Sequence, residues 1–149
     1  MNLTDAVVGL VKAVSRRGRI ERLCAELGWS IDERDGDTLG FRFKCPASGQ
    51  RMVYVGSGDE ILVLMLVNSH VIFDPRRVPD EVSHFALFQN SKSLLGKWEP
   101  RITGDGMRLM LGYTALGDGL TADLFQRICE DMVKTASTFD DQMRERGWV

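Results

Sequence analysis

The stretch from Ile61 to Val67 constrains the fold of this chain more than any other feature, because all seven of its residues are apolar. A short apolar run between turn signals, here Gly56-Ser57-Gly58-Asp59 and Asp74-Pro75, is typical of a strand buried on both faces. Leaving either face in water would cost on the order of 1.5–3 kcal/mol per side chain. The sequence therefore predicts a cover for each face. The chain's own helices, a second subunit or a client protein could supply it, and the sequence leaves these alternatives open.

The same argument predicts where a protein partner would bind. If one side-chain set of the run is covered by a partner, Val63 and Met65 are the expected contacts. Met110, on a later strand, is expected beside them, with Arg108 as a polar neighbour.

Periodicity in the rest of the chain predicts three helical regions around two groups of strands. Ile20, Leu23, Cys24 and Leu27 share one helix face, with Gly28 as its C-cap. Upstream, from Thr4 to Ser15, apolar and polar residues also mix as in a helix. The sequence does not decide whether the N-terminal region is one bent helix or two.

Strand signals follow that region. Alternating Leu39, Phe41, Phe43 and Cys45 predict a half-buried strand after the turn Asp35-Gly36-Asp37, and the segment Arg51 to Val55 predicts the next one. Later, the turn Thr103 to Gly106 predicts a second hairpin, between Trp98 to Thr103 and Met107 to Thr114.

Two further helices are expected. Val82, Phe85 and Phe88 recur on one face of a helix that starts near Asp80, where acidic residues favour a first turn. The last helix starts at an N-cap, Thr121. Its expected core stripe comprises Leu124, Ile128, Met132, Ala136, Phe139 and Met143, widened by Phe125, Cys129 and Val133. Together these elements predict a single α+β domain over residues 1–149, with an antiparallel sheet of about five to six strands and the order α-β-β-β(β)-α-β-β-α.

Composition excludes several classes of function. Hydrophobic residues make up 44% and charged residues 27%, as in ordinary globular domains. A net charge of −2 gives no general attraction to nucleic acid or to an anionic membrane. The seven-residue apolar run is far shorter than the roughly 18 residues of a membrane-spanning helix. With no signal-peptide pattern at the N-terminus and scattered cysteines, we expect a cytoplasmic protein with reduced thiols, and no nucleic-acid or membrane partner.

No pattern of reactive residues predicts an active site, a metal site or a cofactor. Cys24, Cys45 and Cys129 form no CxxC pair, and the two histidines form no HxxxH pair. Cys45 is expected in an apolar strand face, where a thiol is inert, and Ser57 lies in a turn without the GxSxG pattern. Neither Gly104-Asp105-Gly106 nor Gly117-Asp118-Gly119 has the spacing of a phosphate loop, and each has an acid at its centre. We therefore expect no enzyme.

A basic cluster supports an alternative. Arg16, Arg19 and Arg22 recur every three residues and would share a helix face. They could bind an anion or an acidic partner, although short charge runs are usually solvated surface.

The order of elements resembles that of type III secretion chaperones and of the bacterial YbjN-type family, which is described as sensory-transduction regulators. The likeness extends over roughly Ile20 to Met143. It is most specific at Val78-Pro79, which opens a helix, at Asn90 and Leu95 to Trp98, and at the strand pair around Gly104-Asp105-Gly106. The resemblance implies a homodimer-prone domain that acts by holding a protein partner.

Two hypotheses of different classes follow. The first is a non-enzymatic interaction module, chaperone- or adaptor-like, that works as a homodimer. The second is a regulatory domain that senses a small molecule or an anion.

Overall fold

The computed structural model describes residues 18–45, 49–57, 62–93 and 96–148, and its architecture confirms the predicted α+β class. Helix α1 (residues 18–27) comes first, and the predicted N-terminal helix from Thr4 to Ser15 lies outside the described residues. Four strands follow: β1 (Glu33–Asp35), β2 (Thr38–Cys45), β3 (Gly49–Ser57) and β4 (Leu62–Asn68). Then come α2 (Asp80–Lys92), β5 (Gly96–Thr103), β6 (Gly106–Leu116), a 3-10 turn (Gly117–Gly119) and α3 (Ala122–Glu145).

The strands form one antiparallel sheet in the order β1-β2-β3-β4-β6-β5. The apolar strand β4 lies inside the sheet, where Val67 pairs with Val53 of β3 on one side and with Leu111 of β6 on the other. A central strand is paired along both of its edges, and its side chains project from two faces that the sheet itself does not cover. This position explains the apolar composition of β4.

Helices α2 and α3 pack on one face of this sheet, which we call the helix face, and the buried residues of α1 belong to the same core. Helix α3 lies across β2, β3 and β4, whereas α2 packs on β5 at the edge. Ring contacts continue the core from Trp98 of β5 to Phe139 of α3 (4.8 Å between centroids) and on to Phe85 of α2 (5.4 Å). The opposite face, which we call the open face, carries no helix among the described residues.

Local signals set the ends of several elements as predicted. Gly28 adopts φ +67° directly after α1, the left-handed conformation of a helix C-cap. Gly36 adopts φ +54° in the turn between β1 and β2. At the start of α3, the Thr121 hydroxyl oxygen accepts a hydrogen bond from the Leu124 amide at 3.3 Å.

Two side chains differ from the sequence expectation. Phe88 was predicted on the core face of its helix, but it is 56% exposed, because α2 packs on β5 at the edge of the sheet and Val82 is its one buried residue. Leu124, predicted in the α3 core stripe, is 44% exposed, whereas its neighbour Phe125 is fully buried. The other predicted members of the stripe are buried, including Phe125, Cys129 and Val133, which were expected to widen it.

Candidate functional site

The structure separates the four predicted partner contacts onto opposite faces of the sheet. Val63 and Met65 point to the helix face and are 5% and 0% exposed. A partner could reach them only by displacing α3, so the corresponding apolar residues available to a partner are their neighbours Leu64 and Leu66. Met110 lies on the open face and not beside Val63 and Met65 as expected, because it pairs with Asn68 in the row next to Leu66.

The open face forms a concavity of about 490 Å³, which we call the trough. It crosses the sheet from β1 to the hairpin of β5 and β6. Its lining comprises Glu33, Asp35, Thr38, Gly40, Tyr54, Leu66, Asn68, Arg101, Thr103, Asp105, Arg108 and Met110. Sequence reasoning had found only Met110 and Arg108 of this set.

An apolar row of residues that includes two glycines crosses the middle of the open face. Strand pairing places Gly40, Tyr54, Leu66 and Gly112 in one row across β2, β3, β4 and β6. A methyl group at Gly40 would lie 3.0 Å from the Met52 Cε and 3.3 Å from the Tyr54 ring. Glycine inside a strand marks such close approach. The absence of a side chain at Gly40 allows the side chains of Met52 and Tyr54 to close over the strand at this point.

One end of the trough is acidic. Glu33 and Asp35 of the edge strand β1 pair with Gly40 and Thr38 and therefore point to the open face. Partial burial, followed by the charge of Glu33 and a hydrogen bond with it, raises the pKa of Tyr54 above its ordinary value. The Tyr54 hydroxyl thus stays protonated and donates to the Glu33 carboxylate at neutral pH.

The other end of the trough is basic. Arg101 and Arg108 are directly paired across β5 and β6, so two positively charged side chains start from neighbouring positions on the open face. Arg108 forms an ion pair with Asp105, whose pKa is held below its usual range by hydrogen bonds from the Thr103 hydroxyl and then from Arg108. Arg101 contacts the Met110 sulfur at 3.5 Å and has no ion pair among the described residues.

A second apolar surface lies on α2. Leu87 is 67% exposed and Phe88 56% exposed, on the side of the helix away from β5. The Lys92 ammonium lies 4.0 Å from the centre of the Phe88 ring. Asp80 and Glu81 occupy the first turn and Lys92 the last, so the helix is acidic at one end and basic at the other.

The predicted arginine cluster is largely engaged within the chain. Arg16 lies outside the described residues. Arg19 forms an ion pair with Asp118 at 2.7 Å, and the Arg22 Nε donates to the Gly18 carbonyl at 3.3 Å. The paired carboxylate reduces the positive potential that an anion would need at this face.

A buried polar network, which the sequence did not predict, ties α3 to the sheet. Arg51 and Asp140 are both 0% exposed and form an ion pair at 2.6 Å. The Asp140 carboxylate also accepts hydrogen bonds from the Ser69 hydroxyl (2.5 Å) and the His70 amide (2.9 Å), while Arg51 donates to the Asn68 carbonyl (2.7 Å). Asn68 itself lines the trough, so this network fixes the end of β4 on which the trough is built.

The buried thiols have no features of reactive nucleophiles. Burial, with a smaller contribution from Glu21, raises the pKa of Cys24 to about 11, and burial raises the pKa of Cys129 well above its ordinary value. In the part of the chain that the structure describes, no three or more metal-ligating side chains come together. Nor does any described helix have the length and hydropathy to cross a bilayer.

Comparison with known proteins identifies the family and the fold. The model of the YbjN family, described as "Putative bacterial sensory transduction regulator", matches residues 16–145. Among curated proteins, none matches the sequence.

Two solved structures are similar. The Yersinia pestis type III secretion chaperone SycH, in complex with a stable fragment of YscM2, has a TM-score of 0.56 at 13% identity. It covers 83% of this chain and 98% of its own. Escherichia coli YbjN, described as "a putative transcription regulator", has a TM-score of 0.61 at 15% identity and covers 86% of this chain and 90% of its own. These structures confirm the predicted resemblance in fold.

Proposed function

This chain belongs to the YbjN family, and on that premise we propose that it is a non-enzymatic, chaperone- or adaptor-like module that holds a segment of a protein partner in the trough. The observation that carries the proposal is the second face of β4. Its odd-numbered residues are sealed by α3, whereas Leu64 and Leu66 remain partly exposed on the open face, which no described helix covers, and Leu66 lines the trough. Apolar surface of this kind, rimmed by polar groups, is typical of an interaction site.

The fold likeness supports the same class of function. SycH, which shares the fold, is a secretion chaperone solved with a protein fragment bound. By analogy, the present chain would act by contact rather than by chemistry.

We further propose that the protein is a homodimer joined through α2. Leu87 and Phe88 are too exposed to contribute to the subunit's own core. In a two-fold interface the same patch meets itself, and we propose that the two α2 helices cross in antiparallel fashion. That arrangement places Glu81 of each helix near Lys92 of the other, and the opposite charges complement each other.

We also propose a cytoplasmic location. The thiols of Cys24, Cys45 and Cys129 are free and buried, as is usual in a reducing compartment.

The trough is tested by affinity capture from the native cell extract with three baits: wild type, Leu66→Lys, and the control Thr138→Lys, which introduces the same charge on the exposed side of α3. We expect wild type and control to retain the same polypeptide and Leu66→Lys to lose it. Retention by all three baits, or no specific polypeptide with wild type, contradicts the proposal. Thermal unfolding of each bait confirms that it is folded.

The dimer is tested by light scattering at a protein concentration of about 100 µM, well above the Kd of a stable dimer. We expect wild type and Leu124→Asp to have twice the subunit mass and Leu87→Asp to have the subunit mass. Leu124 is the matched control, because it is an exposed leucine on another helix. A monomeric wild type refutes the dimer, and a dimeric Leu87→Asp refutes the α2 interface.

A further inference from the structure

We propose that the trough selects a partner segment of about seven extended residues that has a basic side chain at one end, an acidic side chain at the other and apolar side chains between them. This inference rests on the proposed function and adds the chemistry of the partner. It follows from three properties of the trough: the charge of each end, the apolar floor and the span.

The basic end has one unbalanced cation. Like charges directly opposite on neighbouring strands repel, yet Arg101 and Arg108 are cross-strand partners. Asp105 balances Arg108, whereas Arg101 has only the Met110 sulfur as a side-chain contact within the described ranges. A carboxylate from a partner would remove the repulsion and form a charge-assisted hydrogen bond with the free guanidinium.

The acidic end has the opposite requirement. Glu33 and Asp35 point to the same face from the edge strand, and neither has an ion pair with another residue of the described ranges. The Tyr54 hydroxyl supplies a neutral hydrogen bond to Glu33 but no positive charge. A lysine or arginine of the partner would supply it.

The floor and the span set the rest of the segment. Tyr54, Leu66 and Met110 present apolar surface between the two charged ends. From β1 to β5 there are five steps between strands, or about 24 Å at ~4.8 Å per step. An extended chain covers this distance in about seven residues. Successive side chains of an extended chain point to opposite sides. The two charged residues and the apolar residues that face the trough therefore occupy odd-numbered positions of the segment.

Three synthetic peptides with blocked termini test the inference. The dipolar peptide is Lys-Thr-Val-Thr-Val-Thr-Glu, and the other two carry Lys at both ends or Glu at both ends. Titration into ¹⁵N-labelled protein at low salt gives each Kd from the shifts of amide signals. We expect the dipolar peptide to bind about three- to tenfold more tightly than either homopolar peptide, since exposed charge pairs contribute modestly. High salt should reduce this difference.

Charge reversal makes the test specific. Arg101→Glu should shift the preference to the Lys-Lys peptide, and the double variant Glu33→Lys with Asp35→Lys should shift it to the Glu-Glu peptide. Equal affinity for all three peptides overturns the charge selection but leaves the trough as a binding face, provided that Leu66→Lys abolishes binding. If no peptide binds wild type up to the solubility limit, the selection is also overturned, and the capture experiment with Leu66→Lys then decides whether the trough binds any partner.

Discussion

Replacement of Asp140 by alanine is expected to destabilise the protein by about 3–5 kcal/mol, because it leaves a buried cation without its counter-ion. The Asp140 carboxylate accepts hydrogen bonds from Arg51, Ser69 and the His70 amide. After the substitution, the guanidinium of Arg51, which is 0% exposed, keeps the Asn68 carbonyl as its one hydrogen-bond acceptor among the described residues. Its Nε already has no hydrogen-bond partner.

Urea unfolding, extrapolated to water, measures this change. For a domain of this size the expected loss corresponds to a fall in Tm of about 6–20 °C, at roughly 2–4 °C per kcal/mol. Asp141→Ala is the matched control. It removes an ion pair with Arg144 that is nearly half-exposed on both sides, and it should change the free energy of unfolding by less than about 0.5 kcal/mol.

A double variant separates the effect of the unpaired charge from the effect of the lost side-chain volume. Arg51→Met combined with Asp140→Leu removes both charges and should be more stable than Asp140→Ala alone, because apolar replacements of a buried ion pair are often tolerated. If Asp140→Ala does not fold, Asp140→Asn leaves the same unpaired cation with less disturbance. A loss below about 1 kcal/mol for Asp140→Ala, or a double variant less stable than the single one, would refute this reasoning.

Three further predictions concern single groups. Thr121→Ala should lower the free energy of unfolding by about 1 kcal/mol in urea titration, since the Leu124 amide loses its cap; no loss would show that the cap is not needed. Because burial raises the pKa of Cys24 and Cys129, both thiols should resist iodoacetamide at pH 8 in the native state and react after unfolding, and rapid native alkylation would contradict this. Burial, followed by the charge of Arg51, lowers the pKa of His70 below 6.5, so the unfolded chain binds the proton more readily. Its contribution to stability is complete above about pH 6.5 and is lost as the pH falls through the lower native pKa, so wild type should lose more stability than His70→Gln between pH 7.5 and pH 5.

Much of the fold could be predicted from local pattern. The hairpin turn at Gly36, the C-cap at Gly28 and the N-cap at Thr121 are each fixed by a residue and its immediate neighbours. The α3 stripe from Leu124 to Met143 repeats over about five turns, and such repetition is hard to explain except by a helix on a core. The predicted order of elements is confirmed for these reasons.

The site could be predicted only in part, because it depends on which face of each element is covered. The two-residue period of a strand defines the two faces of β4 but does not say which face α3 seals. The sequence therefore could not show whether Val63 and Met65 or Leu64 and Leu66 remain available to a partner. Phe88 has the spacing of a core residue and is nevertheless exposed, because α2 lies at the edge of the sheet. Glu33 and Arg101 are far apart in sequence and line the same trough only because the sheet is concave.

Arg51 shows how burial and binding are connected in this fold. In the two-residue alternation of β3, Arg51 occupies a position that is otherwise apolar. A long cationic side chain is tolerated there only because it forms an ion pair with Asp140 of α3. The same guanidinium holds the Asn68 carbonyl at the end of β4, and Asn68 lies beside Met110 in the trough. A single buried side chain therefore links the helix that seals one face of the apolar strand to the residues that shape the other face. In this arrangement the open face is positioned by the core beneath it, without needing a helix of its own.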